Sequence, residues 1–169
     1  PVWAVQHEPA AVGHDGDVFI LGRDERMATT YQQIRLSGGK PVDVRRTANI
    51  RHSHIMDTVD IDFNPVTGRL EVVRSYREKL LVDLWSIDPA EWESAEWRFE
   101  GVLFAKHTTV EGKEFYQTAD GFHPGGGVID AEEGVQHIFV YTGHPKGPSG
   151  SFRITRTLET ERLAEFLGE

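Results

Sequence analysis

Six histidine and carboxylate side chains, spread over three segments, are the residues best suited to chemistry. They are His7, Glu8, His52, His54, Asp57 and His123. Imidazole and carboxylate groups exchange protons and also bind metal ions, so the same set supports either acid–base catalysis or a metal site. Which of these applies depends on the fold that brings the segments together.

His52 and His54 give the strongest metal signal. Two residues apart on a strand, they point to one side, and His-x-His is a common two-ligand unit for zinc. The order His-x-His followed by Asp57 also invites comparison with the cupin fold, although the acid comes earlier than it does in cupins. A third ligand would have to come from elsewhere in the chain; the available histidines are His7, His14 and His123.

The residues that follow this pair alternate between apolar and acidic. Ile61 and Phe63 share one parity and are expected to face a packed side, while Asp60 and Asp62 share the other. The stretch NPVTG that comes next predicts a hairpin turn, because Asn-Pro starts turns and the glycine supplies a positive φ. We therefore assign Asp60 and Asp62 to a strand end and its turn, not to the histidine site.

The composition limits the possible classes of function. The formal net charge of −9 disfavours nucleic acid and anionic membrane surfaces as partners. The absence of cysteine rules out disulfides and thiolate chemistry. No apolar run approaches the roughly 20 residues of a membrane-spanning helix. The sequence thus predicts neither nucleic acid nor membrane as a partner, and it leaves the cellular compartment open.

Strand patterns dominate the chain. Seven stretches rich in β-branched and aromatic residues predict strands, at residues 17–23, 29–37, 69–76, 79–87, 97–104, 136–143 and 151–158. Two short helices are also predicted. DPAEWESAEW makes one turn with Asp88 as N-cap and Pro89 in first position, and the tail ETERLAEFLG makes a C-terminal helix ending at glycine.

The strands recur in similar groups. Each group starts at a histidine, passes a short strand, turns on an acidic, glycine-containing loop and enters a strongly apolar strand. The turn residues Gly16, Gly68 and Gly134 are 52 and 66 residues apart. We take the repeat units as residues 7–50, 51–106 and 121–158 of a single all-β domain or propeller portion, residues 1–169.

A period near 50 in an all-β chain predicts a propeller-like array of about three four-stranded antiparallel blades. A meander cannot cover both of its own faces, so blades must stack on their neighbours. Three blades are too few to close a ring, which implies additional blades or self-association. The alternative is a β-barrel or β-sandwich, including a cupin-like one.

The blade texture resembles that of sialidase-like and five-bladed glycosidase propellers. HEPAAVGHDGDVFILGRDE resembles a blade opening of such enzymes. LWSIDPAEW resembles a degenerate Asp-box, in which Ser86 and Asp88 match, Ala90 replaces the glycine and Trp92 comes one position early. The resemblance implies a ligand site at one mouth of a central channel lined by the innermost strands.

These observations together predict a carbohydrate-active protein, with glycoside hydrolysis as the favoured reaction. Hydrolysis needs two carboxylates flanking the glycosidic bond, and Glu8 and Asp57 form the best such pair by repeat position. No cofactor is expected. The alternatives are a non-catalytic glycan-binding or assembly module and a small metal-dependent β-barrel enzyme using His52 and His54. The predicted substrate-binding residues are His7, His52, His54, Arg74, Arg77 and His123.

Overall fold

The computed structural model describes residues 5–24, 29–52, 59–76, 81–105, 109–110, 113–114, 122–130, 133–142 and 150–158. These residues form thirteen β-strands and one 3₁₀ helix, and every pairing of neighbouring strands is antiparallel. The all-β prediction is therefore confirmed. The tail predicted as a C-terminal helix lies outside the described residues. No helix in the described part of the chain is long and apolar enough to cross a membrane.

The first sheet contains β1 (Val5–His14), β2 (Asp17–Asp24), β3 (Thr30–Ser37) and β4 (Lys40–Arg51), paired in chain order. The turn between β1 and β2 consists of Asp15 and Gly16, with φ angles of 50° and 81°. Positive φ at both positions is typical of the tight two-residue hairpin that matches the twist of paired strands.

The second sheet contains β5 (Val59–Asn64), β6 (Arg69–Tyr76), β7 (Leu81–Ile87) and β8 (Arg98–Ala105), again in chain order. The predicted hairpin turn joins β5 to β6. In it the Asn64 side chain accepts hydrogen bonds from the backbone N–H groups of Val66 and Thr67, at 2.9 and 3.3 Å. Gly68 closes the turn with a φ of 67°.

The third sheet contains β11 (Phe122–Asp130), β12 (Val135–Thr142) and β13 (Gly150–Thr157). It has three strands among the described residues, whereas four were predicted for each blade. Two short strands, β9 (Thr109–Val110) and β10 (Lys113–Glu114), pair with each other between the second and third sheets in the sequence.

The first strands of the three sheets pack against one another. β5 contacts both β1 and β11. The ring of His14, the last residue of β1, stacks on Phe63 near the end of β5 with centroids 3.8 Å apart. The two strands therefore run in the same direction, with their ends at the same edge. At this edge Gln136, near the start of β12, also reaches Glu71, near the start of β6.

The contact between the first and second sheets is apolar. Its buried side chains come from both sheets, and Trp92 and Trp97 complete the cluster. Burial of each large side chain contributes about 1.5–3 kcal/mol to folding. The members from the strands are Ala10, Phe19, Leu21, Tyr31, Ile50, Ile61, Leu70, Val72 and Ile87.

A strongly apolar second strand suggests that neighbours cover both of its faces, which holds for β6 and does not hold for β2. Residues 70–75 of β6 are all buried, because the first sheet covers one face and the third sheet the other. In β2, Phe19 and Leu21 are buried while Val18 is 37% exposed. Only one face of β2 packs on the second sheet, so its side chains alternate between buried and partly exposed.

The 3₁₀ helix Pro89–Ser94 fastens the second sheet to the first. Its predicted N-cap is confirmed, since the Asp88 side chain accepts a hydrogen bond from the N–H of Ala90 at 2.8 Å. Beyond the helix, the Asn49 side chain donates to the carbonyl of Trp97 and accepts from its N–H, at 2.6 and 2.9 Å. The backbone of the loop at Trp97 is thereby hydrogen-bonded to the edge of β4 through the Asn49 side chain.

Candidate functional site

Three of the eight predicted site residues lie in described strands near the edge where β1 and β11 begin. His7 and Glu8 belong to β1 and His123 to β11, the two strands that contact β5. Their side chains are not among those the structure describes. His54, Asp57 and Arg77 lie outside the described residues altogether, so the prediction that these groups converge stays a prediction.

His52 is described and is buried at the end of the first sheet. Its ring packs edge-to-face on Tyr31, with centroids 5.2 Å apart and an interplanar angle of 64°. Its N–H donates to the carbonyl of Thr29 at 3.0 Å, which continues the pairing between β3 and β4. With 6% of its surface exposed, His52 is part of the packing of this sheet.

Arg74 is also described, and its guanidinium is held by the protein itself. Nε and Nη2 donate to the two oxygens of Asp83, directly across on β7, at 2.9 and 2.5 Å. Nη1 donates to the carbonyl of Arg51 at the end of β4. The guanidinium also lies over the Trp85 ring, 5.3 Å from its centroid. Arg74 thus ties together three strands of two sheets.

A cavity opens at the opposite edge, between the first two sheets. It has a volume of about 340 Å³, and we call it the turn-edge cleft. The hairpin turns after β1 and β5 and the start of the 3₁₀ helix form its walls. Its lining residues are His14, Asp15, Asp17, Phe19, Arg35, Gly68, Asp88, Pro89 and Ala90.

The turn-edge cleft is rich in charge. Asp15, Asp17 and Asp88 contribute three carboxylates against the one guanidinium of Arg35. Arg35 Nε lies 3.9 Å from an Asp17 oxygen, and its Nη2 lies 3.5 Å from Glu93 at the rim. Both side chains of the Asp17–Arg35 pair keep about a quarter of their surface exposed. The cleft therefore offers accessible hydrogen-bond acceptors and donors side by side.

A second cluster of carboxylates lies between the second and third sheets, and we call it the interface pocket. Its volume is about 10 Å³, the size of one water molecule. Burial and the negative charge of Asp62 raise the pKa of Asp60 to about 6, partly opposed by the hydrogen bond to the backbone at Ile61. Its lining residues are Asp60, Asp62, Glu71, Val73, Leu84, Gln136 and Ile138.

Glu71, in contrast, is surrounded by hydrogen-bond donors. Its Oε1 accepts from the side-chain amides of Asn64 and Gln136 at 2.9 and 3.0 Å. Its Oε2 accepts from Arg156 of β13 at 3.2 Å. Only 4% of Glu71 is exposed, so this network joins the second and third sheets through a neutralised carboxylate.

One further group has the composition of a metal-ligand set. One ligand atom each from Asp130, Glu133 and His137 lie within 4.8 Å of one another at the turn between β11 and β12. The Asp130 carboxylate accepts from the N–H of Glu133 at 3.0 Å, and His137 Nδ1 lies 3.0 Å from Thr155 Oγ1. Sequence patterns did not single out this group, because its members meet only through the turn and the pairing of β12.

The interface pocket was also missed, although the alternation along β5 was predicted. Ile61 packs in the apolar contact and Asp60 lines the pocket, so the two parities do face opposite ways. The sequence instead predicts that Asp60 and Asp62 belong to the strand end and its turn. The sequence signal for the pocket was the acidic face of β5. When one face of a strand is apolar and packed, its opposite, acidic face must contact either another sheet or solvent.

No protein-family model, curated protein or solved structure matches this chain.

Proposed function

We propose that the protein is carbohydrate-active and binds glycans in the turn-edge cleft. The observation that carries this proposal is the cleft of about 340 Å³, lined by His14, Asp15, Asp17, Arg35 and Asp88. Its volume is within the range of small-molecule sites, about 300–1,000 Å³. Sugar hydroxyls both donate and accept hydrogen bonds, and the carboxylates and the guanidinium supply the complementary groups.

The charges of the turn-edge cleft favour neutral sugars over acidic ones. Its three carboxylates outnumber the single guanidinium, and Glu93 further offsets the charge of Arg35 at the rim. An anionic sugar would meet net repulsion from the cleft and from a chain with a net charge of −9. We therefore expect neutral hexose-containing oligosaccharides to bind, and sialylated or uronate-containing ones to bind more weakly.

The scaffold proposed for this site is a propeller-like array, in keeping with the resemblance of the sequence to glycosidase propellers. Three features support it. Each sheet is an antiparallel meander in chain order, the first strands of the sheets lie side by side, and β1 and β5 run in the same direction. Additional blades or a second copy of the chain would complete a ring.

The test of glycan binding is calorimetric titration with matched panels of neutral and acidic oligosaccharides. Asp17→Asn and Asp88→Asn remove one cleft carboxylate each, and asparagine still caps the 3₁₀ helix. Losing a charged hydrogen bond is expected to weaken binding about tenfold or more. Glu96→Gln, at an exposed position outside the cleft, is the control and should bind like the parent protein.

Two results would overturn the binding proposal. One is the absence of any neutral glycan that binds at millimolar concentration. The other is unchanged affinity in both cleft variants, provided that their melting temperatures match that of the parent protein.

Hydrolysis is the second candidate, and the alignment of β1 with β5 supports it. The stacked rings of His14 and Phe63 set these strands side by side. Glu8 precedes His14 by six residues, and Asp57 precedes Phe63 by six. This equal spacing supports Glu8 and Asp57 as the acid and the base or nucleophile of a glycoside hydrolase.

Release of reducing sugar from a bound oligosaccharide measures this activity. Glu8→Gln and Asp57→Asn are expected to abolish turnover while leaving the affinity at the turn-edge cleft unchanged, because the residues that line the cleft include neither of them. Unchanged rates in both variants would contradict the assignment of Glu8 and Asp57.

A further inference from the structure

The interface pocket brings together one acidic group from the second sheet and one amide from the third. The carboxylate of Asp60 on β5 and the side chain of Gln136 on β12 both line it. The pocket has a volume of about 10 Å³, which leaves room for about one water molecule between the two groups. A hydrogen bond between them would therefore join the second sheet directly to the third.

The Gln136 amide is oriented so that its oxygen needs a donor. Its Nε2 donates to Oε1 of Glu71 at 3.0 Å, and the residue is only 5% exposed. Its own Oε1 has no hydrogen-bond partner among the described residues. Exchanging the two amide atoms would not help, because the amide oxygen would then face the Glu71 carboxylate. A buried amide oxygen without a donor is costly, so the structure calls for a donor in this pocket.

Asp60 can supply that donor in one of its two protonation states. An ionised carboxylate only accepts hydrogen bonds, whereas a protonated one carries an O–H group that donates. Burial and the negative charge of Asp62 raise the pKa of Asp60 to about 6, opposed by the hydrogen bond to the backbone at Ile61. The side chain that lies beside an unpaired acceptor is thus the one that holds a proton at mildly acidic pH.

The elements around Asp60 contribute charges of both signs. The other face of β5, with Ile61, packs against the first sheet, so the relevant neighbours come from β6, β11, β12 and β13. Negative neighbours favour the proton on Asp60, and a positive one opposes it. β11 has the uncharged Ile129 at the register position opposite Gln136. The charged groups described around the pocket are Asp62 on β5, Glu71 on β6 and Arg156 on β13, which pairs with Glu71.

We propose that Asp60 and Gln136 form a pH-dependent bond between the second and third sheets. At acidic pH Asp60 takes a proton from solvent and donates it to Oε1 of Gln136, directly or through one water molecule. At neutral pH Asp60 is ionised, and two acceptors face each other without a donor. Glu71 is a positioning residue, because it holds the Gln136 amide with Oε1 directed away from its own carboxylate.

The direction of the pH effect follows from the raised pKa of Asp60. Its pKa in the folded protein, about 6, lies above the ordinary value of 3.8, so folding favours the protonated form. The contribution to stability is fully present below the ordinary value and is lost as the pH rises through about 6. The third sheet should therefore be held less tightly to the second at neutral pH. This inference does not depend on the proposed glycan binding.

The test is a pH titration of the full ¹³C-labelled chain by NMR, from pH 4 to pH 8. The side-chain carboxyl carbon of Asp60 and the amide carbon of Gln136 should titrate with one shared midpoint near pH 6. In Asp60→Asn the amide at position 60 donates at every pH, so the Gln136 signal should keep its acidic-limit position throughout. Glu133→Gln, at an exposed position in the turn after β11, is the control and should keep both titrations.

A second variant separates hydrogen bonding from the mere proximity of a charge. Gln136→Met removes the acceptor for the Asp60 proton, so the midpoint of the Asp60 carboxyl carbon should move to lower pH. In this variant the signal of Asp60 itself is the readout, which does not require the Gln136 amide.

Hydrogen exchange measures the consequence for the contact between the sheets. Protection factors, which correct for the intrinsic pH dependence of exchange, should fall about threefold or more for the β12 amides between pH 5 and pH 7.5. Those of β3, in the first sheet, should change less, and the difference should vanish in Asp60→Asn. Four results would overturn the proposal: a Gln136 signal that does not move with pH, one that titrates equally in Asp60→Asn, an Asp60 midpoint that does not fall in Gln136→Met, or equal changes in protection in β3 and β12.

Discussion

Asp60 and Glu71 show two ways in which a carboxylate can be accommodated between sheets. Glu71 lies across the ladder from Asp62 and is the more buried, yet three donors from Asn64, Gln136 and Arg156 stabilise its charge. Asp60 loses water without comparable donors, and its pKa therefore rises to about 6. The difference between the two residues lies in their neighbours and not in their depth.

Asp60 should make stability depend on pH between about 4 and 6. Its pKa is higher in the folded state than its ordinary value of 3.8, so the folded protein binds the extra proton in this range. The stabilisation is fully present below pH 4 and is lost as the pH rises through 6. For a partly exposed group we expect a loss on the order of 1 kcal/mol.

Urea unfolding of the parent protein and of Asp60→Asn at pH 4 and pH 7 measures this effect. Asp60→Asn should not show the loss of stability that Asp60 causes between pH 4 and pH 7. It should therefore be the more stable of the two proteins at pH 7. Identical pH profiles for the two proteins would contradict the raised pKa.

At the scale of elements, the loop around the 3₁₀ helix determines how the first two sheets pack. Gln33 of β3 is fully buried, and its Nε2 donates to the carbonyl of Trp92 at 2.6 Å. Its Oε1 accepts from Trp97 Nε1 at 3.1 Å. A single glutamine thus satisfies polar groups from both tryptophan residues of the opposing loop. Without it, the Trp97 indole N–H would lose its hydrogen bond, and the Trp92 carbonyl would keep only the one from the Ala95 N–H.

Gln33→Leu should lower the free energy of unfolding by about 2–4 kcal/mol, because it removes both hydrogen bonds while keeping the side-chain volume similar. Gln32→Leu is the matched control: the same substitution at the adjacent position, on the opposite face of β3, should cost less than about 1 kcal/mol. Chemical denaturation measures both. Equal losses in the two variants would show that the loop does not depend on Gln33.

The elements were the most predictable part of the fold from sequence. The strand over residues 69–76, the turn at Gly68 and the N-cap at Asp88 were all predicted correctly, because each depends on local patterns. The interface pocket was not predicted, because Gln136 follows Asp60 by more than seventy residues and only sheet packing joins them. His14 was considered only as a spare metal ligand, although it lines the turn-edge cleft.

At the scale of the whole molecule, the second sheet has two unlike faces. Its side toward the first sheet is apolar, with Leu70 and Val72 fully buried. Its side toward the third sheet carries Asp60, Asp62 and Glu71. The first contact contributes hydrophobic stabilisation, while the second concentrates charge. We accordingly propose glycan binding beside the apolar contact, at its turn edge.

The central claim is that a neutral glycan occupies the turn-edge cleft. The most direct measurement is the set of backbone amide chemical-shift changes in ¹⁵N-labelled protein titrated with the tightest-binding neutral oligosaccharide. We predict that the largest changes fall on the lining residues of the cleft, notably His14, Asp15, Asp17 and Ala90. Changes confined to other surfaces, with these four signals unmoved at saturation, would contradict the account.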